Sequence, residues 1–153
     1  KSAIRPDAQA DKGFHRFTYS LVPHQGEWRA AGVDRAAAEL NAPLAAHSVA
    51  GNPAGDLPAR FAFASVDAEH VVIETVKRAE DDPDAWIVRL YEGRQCRNGA
   101  VRLQLGRPIR RAQRVSMVER DPEELPVSGA SLIFSIAPYE IVTFKLWLGN
   151  EAP

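Results

Sequence analysis

The side chains able to do chemistry crowd into residues 14–28, FHRFTYSLVPHQGEW, with two histidines, an acid, a tyrosine and a tryptophan. That density fits either a metal or sugar site, or one edge of a packed sheet. The four histidines, His15, His24, His47 and His70, stand far apart. None has a second ligand at the helical i, i+4 spacing or in a Cys-x-x-Cys pattern, so they read as surface or edge residues. For glycoside chemistry, two carboxyl groups about 5–9 Å apart could act as acid and as base or nucleophile. The candidates are Glu74, Glu80, Asp81, Asp82, Asp84, Glu92 and Glu119. Several of them fall in AEDDPDA, residues 79–85, which reads more simply as a turn with local backbone hydrogen bonds. No serine sits in G-x-S-x-G, and no glycine loop suits a phosphate. Trp28, Trp86 and Trp147 could present flat faces to a sugar, or lie in the core or on the sheet surface. Catalytic, cofactor-binding and metal residues are therefore assigned to none of these positions.

Elements must hold such groups, and composition bounds what those elements can be. At 153 residues the size fits one domain, and 45% hydrophobic with 25% charged residues is ordinary for a globular chain. A net charge of −1 gives no field to recruit nucleic acid or an anionic membrane. The local exception is Arg107, Arg110, Arg111 and Arg114, which reads as a solvated strand face. No apolar run approaches the length of a membrane span, and the start, KSAIRPDAQADKG, has no signal-peptide pattern. Neither nucleic acid nor membrane is expected as a partner. Cys96, in the polar run GRQCRNG, is the only cysteine and reads as an inert exposed thiol. A chain that cannot form an internal disulfide leans toward a reducing, cytoplasmic location. Residues 1–13 read as a connector from a preceding domain, and residues 14–150 as a single domain.

Period-two alternation recurs along the chain and predicts strands. Residues 15–23 place Phe17, Tyr19 and Leu21 on one side and end at Pro23. Residues 27–40 shift to helical spacing through Ala30, Val33, Ala37 and Leu40. A short strand over 44–49 and a loop over 51–58 follow. Further strands are expected over 60–66, 71–79, 85–92, 100–105 and 109–119. Asn98-Gly99 signals a hairpin, residues 121–129 a loop, and 130–137 with 140–148 a closing pair of strands. The sum is about nine strands and one short helix, the pattern of an antiparallel β-sandwich. Its expected core is Phe17, Tyr19, Phe61, Phe63, Val72, Trp86, Leu90, Leu103, Ile133, Phe144 and Leu146.

Five ordered blocks carry a resemblance. They are IRPDAQADKG (4–13), HRFTYSLVPHQGEWRAAGV (15–33), AAAELNAPL (36–44), SVDAEHVVIETVKRAEDDPDAWIVRLYE (65–92) and SIAPYEIVTFKL (135–146). Together they resemble the C-terminal β-domain of the glycoside hydrolase family 38 α-mannosidases. That resemblance implies a β-sandwich of the galactose-mutarotase-like, supersandwich type. It also implies a parent chain with an α/β catalytic domain and a helical bundle, which would be this domain's partners, and a homo-oligomer is possible. Such enzymes remove α-linked mannose with retention; zinc grips the sugar hydroxyls and an aspartate is the nucleophile. The zinc ligands and nucleophile belong to the catalytic domain, and no position here matches them. Zinc is expected there rather than in this chain, and carbohydrate is met through the parent. On this reading residues 14–28 are structural: a strand, a turn at Pro23 and a helix start near Trp28. The alternative is an independent carbohydrate-binding or structural interaction module.

Overall fold

The computed structural model describes residues 12–51, 55, 58–96 and 98–149. The expected connector lies outside them up to residue 11, as does much of the 51–58 loop. The chain divides into two compact units, residues 1–50 and 51–153.

In the first unit, α1 spans Val33–Asn41. Gly32 precedes it at φ 65°, a left-handed conformation that glycine adopts without a Cβ penalty. Asp34 in the first turn complements the helix dipole, and Asn41 Nδ2 donates to the Ala37 carbonyl, 2.9 Å away. None of residues 12–50 is buried.

Among the described residues the second unit has eight strands: β1 Ala64–Val66, β2 Val71–Arg78, β3 Ala85–Glu92, β4 Asn98–Leu105, β5 Ile109–Val115, β6 Glu123–Leu125, β7 Ser131–Ile136 and β8 Ile141–Leu148. They form two antiparallel sheets, ordered β1-β4-β7 and β2-β3-β8-β5-β6. The chain changes sheet four times after β3, so successive strands often face each other across the core instead of pairing. Leu103, Leu105, Leu132 and Phe134 of the smaller sheet pack on Val88, Leu90, Phe144 and Leu146 of the larger. Phe134 and Phe144 meet edge to face at 4.9 Å between ring centres, and Phe63 lies 4.7 Å from Trp86. Each fully buried side chain of this kind contributes about 1.5–3 kcal/mol.

The mainly-β sandwich with one short helix stands as expected, while several of its parts do not. Residues 15–23 and 44–49 form no strand, and Phe17 and Tyr19 are 82% and 87% exposed. A period-two pattern shows which face a strand would bury, not that a partner strand exists. Phe61 and Ile133 are also exposed, at 51% and 53%. In β7, Leu132, Phe134 and Ile136 take the inward positions, so Ile133 must point out. The strand expected to reach residue 119 stops at Val115, and the 121–129 loop contains β6. Neither Asn98-Gly99 nor Pro138-Tyr139 closes a hairpin: β3 and β4, like β7 and β8, lie in different sheets.

Candidate functional site

Polar side chains gather on the face of the larger sheet that points away from the core. Cross-strand partners share a face. The register therefore sets Ile87, Arg89 and Tyr91 beside Lys145, Thr143 and Ile141, and Arg111, Gln113 and Val115 beside Trp147, Lys145 and Thr143. Two loops fold over the middle of this face. From the β2–β3 turn, Asp81 pairs with Lys145, and Asp82 accepts a hydrogen bond from Trp147 Nε1 at 2.9 Å. From the loop after β5, Glu119 binds Lys77 at 2.6 Å and accepts the Glu80 N–H at 2.8 Å. In the same loop the Met117 carbonyl takes a bond from Arg89 Nη2 at 2.7 Å. At the sheet edge Glu124 pairs with Arg111 and accepts from Gln113 Nε2 at 2.6 Å.

The structure thus brings together Glu80, Asp81, Asp82 and Glu119 of the candidate acids, but with cations and donors already on them. Lys145 lowers the Asp81 carboxyl, the Trp147 and Asp84 N–H groups lower Asp82, and Arg111 lowers Glu124. Burial pushes Glu119 up, and Lys77 with the Glu80 N–H more than reverses it. Carboxyls held below their ordinary range are poor general acids at neutral pH, since that role needs a raised pKa. The arrangement suits holding loops to a sheet. Asp82 also accepts the Asp84 N–H at 2.9 Å, the local turn bond that AEDDPDA suggests.

Glu92 is 1% exposed and stands alone at one end of the sandwich. It accepts N–H bonds from Arg94, Gln95 and Cys96, at 2.7–3.0 Å, and from Tyr139 at 2.9 Å. Burial raises its carboxyl, and these four donors outweigh that and hold it below the ordinary value. Gln95 and Tyr139 both sit in left-handed conformations, at φ 63° and 59°. One carboxylate therefore fixes two of the places where the chain crosses between sheets, after β3 and after β7. Its acceptor capacity goes to backbone, not to a ligand. The spacing of Glu92 in the sequence could not reveal this, because its donors belong to loops that meet only in the fold.

Each tryptophan already has a neighbour on its ring. Arg29 lies 4.6 Å from Trp28, Arg78 is 4.0 Å from Trp86, and Arg111 is 4.7 Å from Trp147. Of the four arginines of the 107–114 run, Arg111 pairs with Glu124 and Arg114 with Glu140. Cys96 is exposed. His15, His24 and His47 fall in the first unit and His70 in the second, where its buried Nε2 has no hydrogen-bond partner among the described residues. Among the described residues there is no group of three or more His, Cys, Asp or Glu that could hold a metal ion. No helix there is long and apolar enough to cross a membrane.

The family model for the glycosyl hydrolases family 38 C-terminal beta sandwich domain matches residues 70–144, which run from just before β2 into β8. Residues 70–144 belong to this family. Beyond the domain itself, the chain is 38% identical over 147 residues to alpha-mannosidase 2C1 of Homo sapiens and 36% identical over 147 residues to that of Mus musculus. Over 150 residues it is 31% identical to alpha-mannosidase G of Dictyostelium discoideum. These matches cover 94%, 94% and 95% of this chain but only 14%, 14% and 13% of the relatives. The family 38 domain and the residues before it are thus a small part of what those relatives contain.

Proposed function

We propose that this chain is a non-catalytic C-terminal β-sandwich of a retaining, zinc-dependent α-mannosidase, supporting the domains that carry the chemistry. The observation that carries this reading is its match, over 94% of its residues, to 14% of the length of a protein named an alpha-mannosidase. The carboxylates of the sandwich support it, since each one whose pKa moves is held low and already bonded. Zinc and the nucleophile then belong to sequence outside this chain, as does the carbohydrate site. A cytoplasmic location agrees with a single unpaired thiol.

The test has two halves. An antibody against residues 51–149 should detect a native polypeptide several times longer than this chain. That polypeptide should hydrolyse α-mannosides, lose activity to a chelator and regain it with zinc. The 153-residue chain alone should show no turnover, and robust hydrolysis by it would overturn the non-catalytic assignment.

A further inference from the structure

Four N–H groups on one carboxylate leave no room for a proton. Glu92 Oε1 accepts from Arg94 at 2.7 Å and from Cys96 at 3.0 Å, and Oε2 accepts from Gln95 and from Tyr139, each at 2.9 Å. A carboxylate offers about four lone-pair sites, and these are filled. A proton added to either oxygen must displace at least one N–H. The displaced group then faces a side chain that is 1% exposed, away from the water that could replace the lost bond. The bonds that survive weaken as well, because acceptance by a neutral carboxyl is about half as strong as acceptance by a charged one.

Both crossings feel the change. The crossing after β3 wraps the group, with Gln95 on Oε2 between two donors on Oε1, and Tyr139 of the crossing after β7 shares Oε2. Neither oxygen can turn toward a new partner without disturbing both loops. Gln95 and Tyr139 also hold left-handed backbones, which cost free energy in any residue with a Cβ. The N–H bonds oppose that strain, and their loss lets it relax. The core carries no such dependence, since the side chains packed between the two sheets are apolar.

We propose that Glu92 is a one-proton latch, whose protonation opens the crossings after β3 and β7 together while the two-sheet core stays closed. Around it stand Arg94, 3.8 Å from Glu69; His70, whose carbonyl takes the Gly93 N–H; and the Cys96 and Tyr139 side chains. Beside them is Glu140, whose carbonyl takes the Glu92 N–H and whose carboxylate holds Arg114 and the Ala137 N–H. Arginine, histidine, cysteine and tyrosine ordinarily titrate above pH 5, so acid acts here through carboxyls. Burial raises the Glu92 carboxyl, and its four donors more than reverse this, so it stays below its ordinary value. The latch is therefore fully shut above the unfolded value, about 4.3, and loosens as pH falls from there toward the lower native value. This goes beyond the proposed function and does not depend on it.

Amide exchange followed by NMR in the 153-residue chain, from about pH 7 down to about pH 3 and scaled to free-peptide rates, tests it. The Arg94, Gln95, Cys96 and Tyr139 amides should keep level protection above about pH 5. Below about pH 4.3 they should lose it in step, by up to about tenfold per pH unit, the slope of one proton. Near about pH 3 they should exchange at least about tenfold faster than the core amides of Val88 and Leu146. In Glu92→Gln the four should be weakly protected at every pH. Glu140→Gln should free the Ala137 amide and leave the profile of the four in place. Protection that does not change with pH, or that falls for residues 94–96 and not for Tyr139, overturns the latch. So does protection equal to that of the core amides throughout, which would make the release part of global unfolding, or a profile that Glu140→Gln flattens. Should Glu92→Gln fail to fold, the parent's profile and Glu140→Gln still decide.

Discussion

In residues 51–149, alternating apolar side chains end in a core, with Val88, Leu90, Phe144 and Leu146 at 0% exposure. In residues 12–50 the same alternation leaves Phe17, Tyr19 and Leu21 above 80% exposure. The residue types are alike; what differs is whether a second surface is present. Pattern encodes a demand for burial, and only topology meets it. The sharpest way to break the contrast is to remove one aromatic ring from each region. Phe144→Ala, which empties a fully buried site against Phe134, should cost about 3–5 kcal/mol in urea unfolding of the 153-residue chain. A loss below about 1 kcal/mol would mean the sandwich core is less closed than described.

The second prediction concerns Glu92, where the sandwich is held by a charge instead of a ring. Glu92→Gln keeps one acceptor oxygen but turns an NH₂ toward backbone donors, and should cost about 1–3 kcal/mol at neutral pH. It should also change the pH profile. Glu92, Glu119, Asp81, Asp82 and Glu124 all titrate below their unfolded values. Their stabilisation is therefore complete above the ordinary carboxylate range, about pH 4–4.5, and is lost as pH falls through the lower native values. Denaturant midpoints measured across this acid range should fall more gently in Glu92→Gln than in the parent. An unchanged slope would assign acid sensitivity to the outer-face pairs instead.

Much of this was legible in the residues, and the rest was not, for physical reasons. The alternation in β3 and β8 marked Trp86, Leu90, Phe144 and Leu146 as facing the core, and all four are buried or half-buried against it. In β7 the run SLIFSI offers two apolar phases, and Ile133 belongs to the one that faces out. The loop crossings after β3 and β7 resemble hairpin turns in sequence. What makes them crossings is the pairing of their strands in different sheets, and Glu92, bonded to Tyr139 47 positions away, ties the two loops together. For the outer face, the turn at 79–85 could be read locally. That Lys145 and Trp147 would meet its aspartates, 64 and 65 residues on, depends on strand order alone.

A smaller effect probes backbone geometry at the sandwich. Gly129 sits at φ 58°, and its carbonyl accepts the Ile109 N–H at 2.9 Å, tying the start of β5 to the chain before β7. A Cβ there meets no atom within 4 Å, so Gly129→Ala tests conformation without crowding. It should cost about 1–2 kcal/mol, the left-handed penalty, seen as a lowered melting temperature. Without any shift, the turn must rearrange at no cost, and the tie to β5 with it.

The smallest expected effect is the most informative about the first unit. Replacing Phe17, Tyr19 and Leu21 together with serine removes three large apolar side chains. In the 153-residue chain it should leave the unfolding midpoint within about 0.5 kcal/mol of the parent, because exposed side chains away from any contact contribute little. The same triple change in a sandwich strand would abolish folding. If the substitutions instead destabilise the chain by several kcal/mol, residues 15–22 already bury these side chains against the sandwich, and the contrast between the two regions disappears.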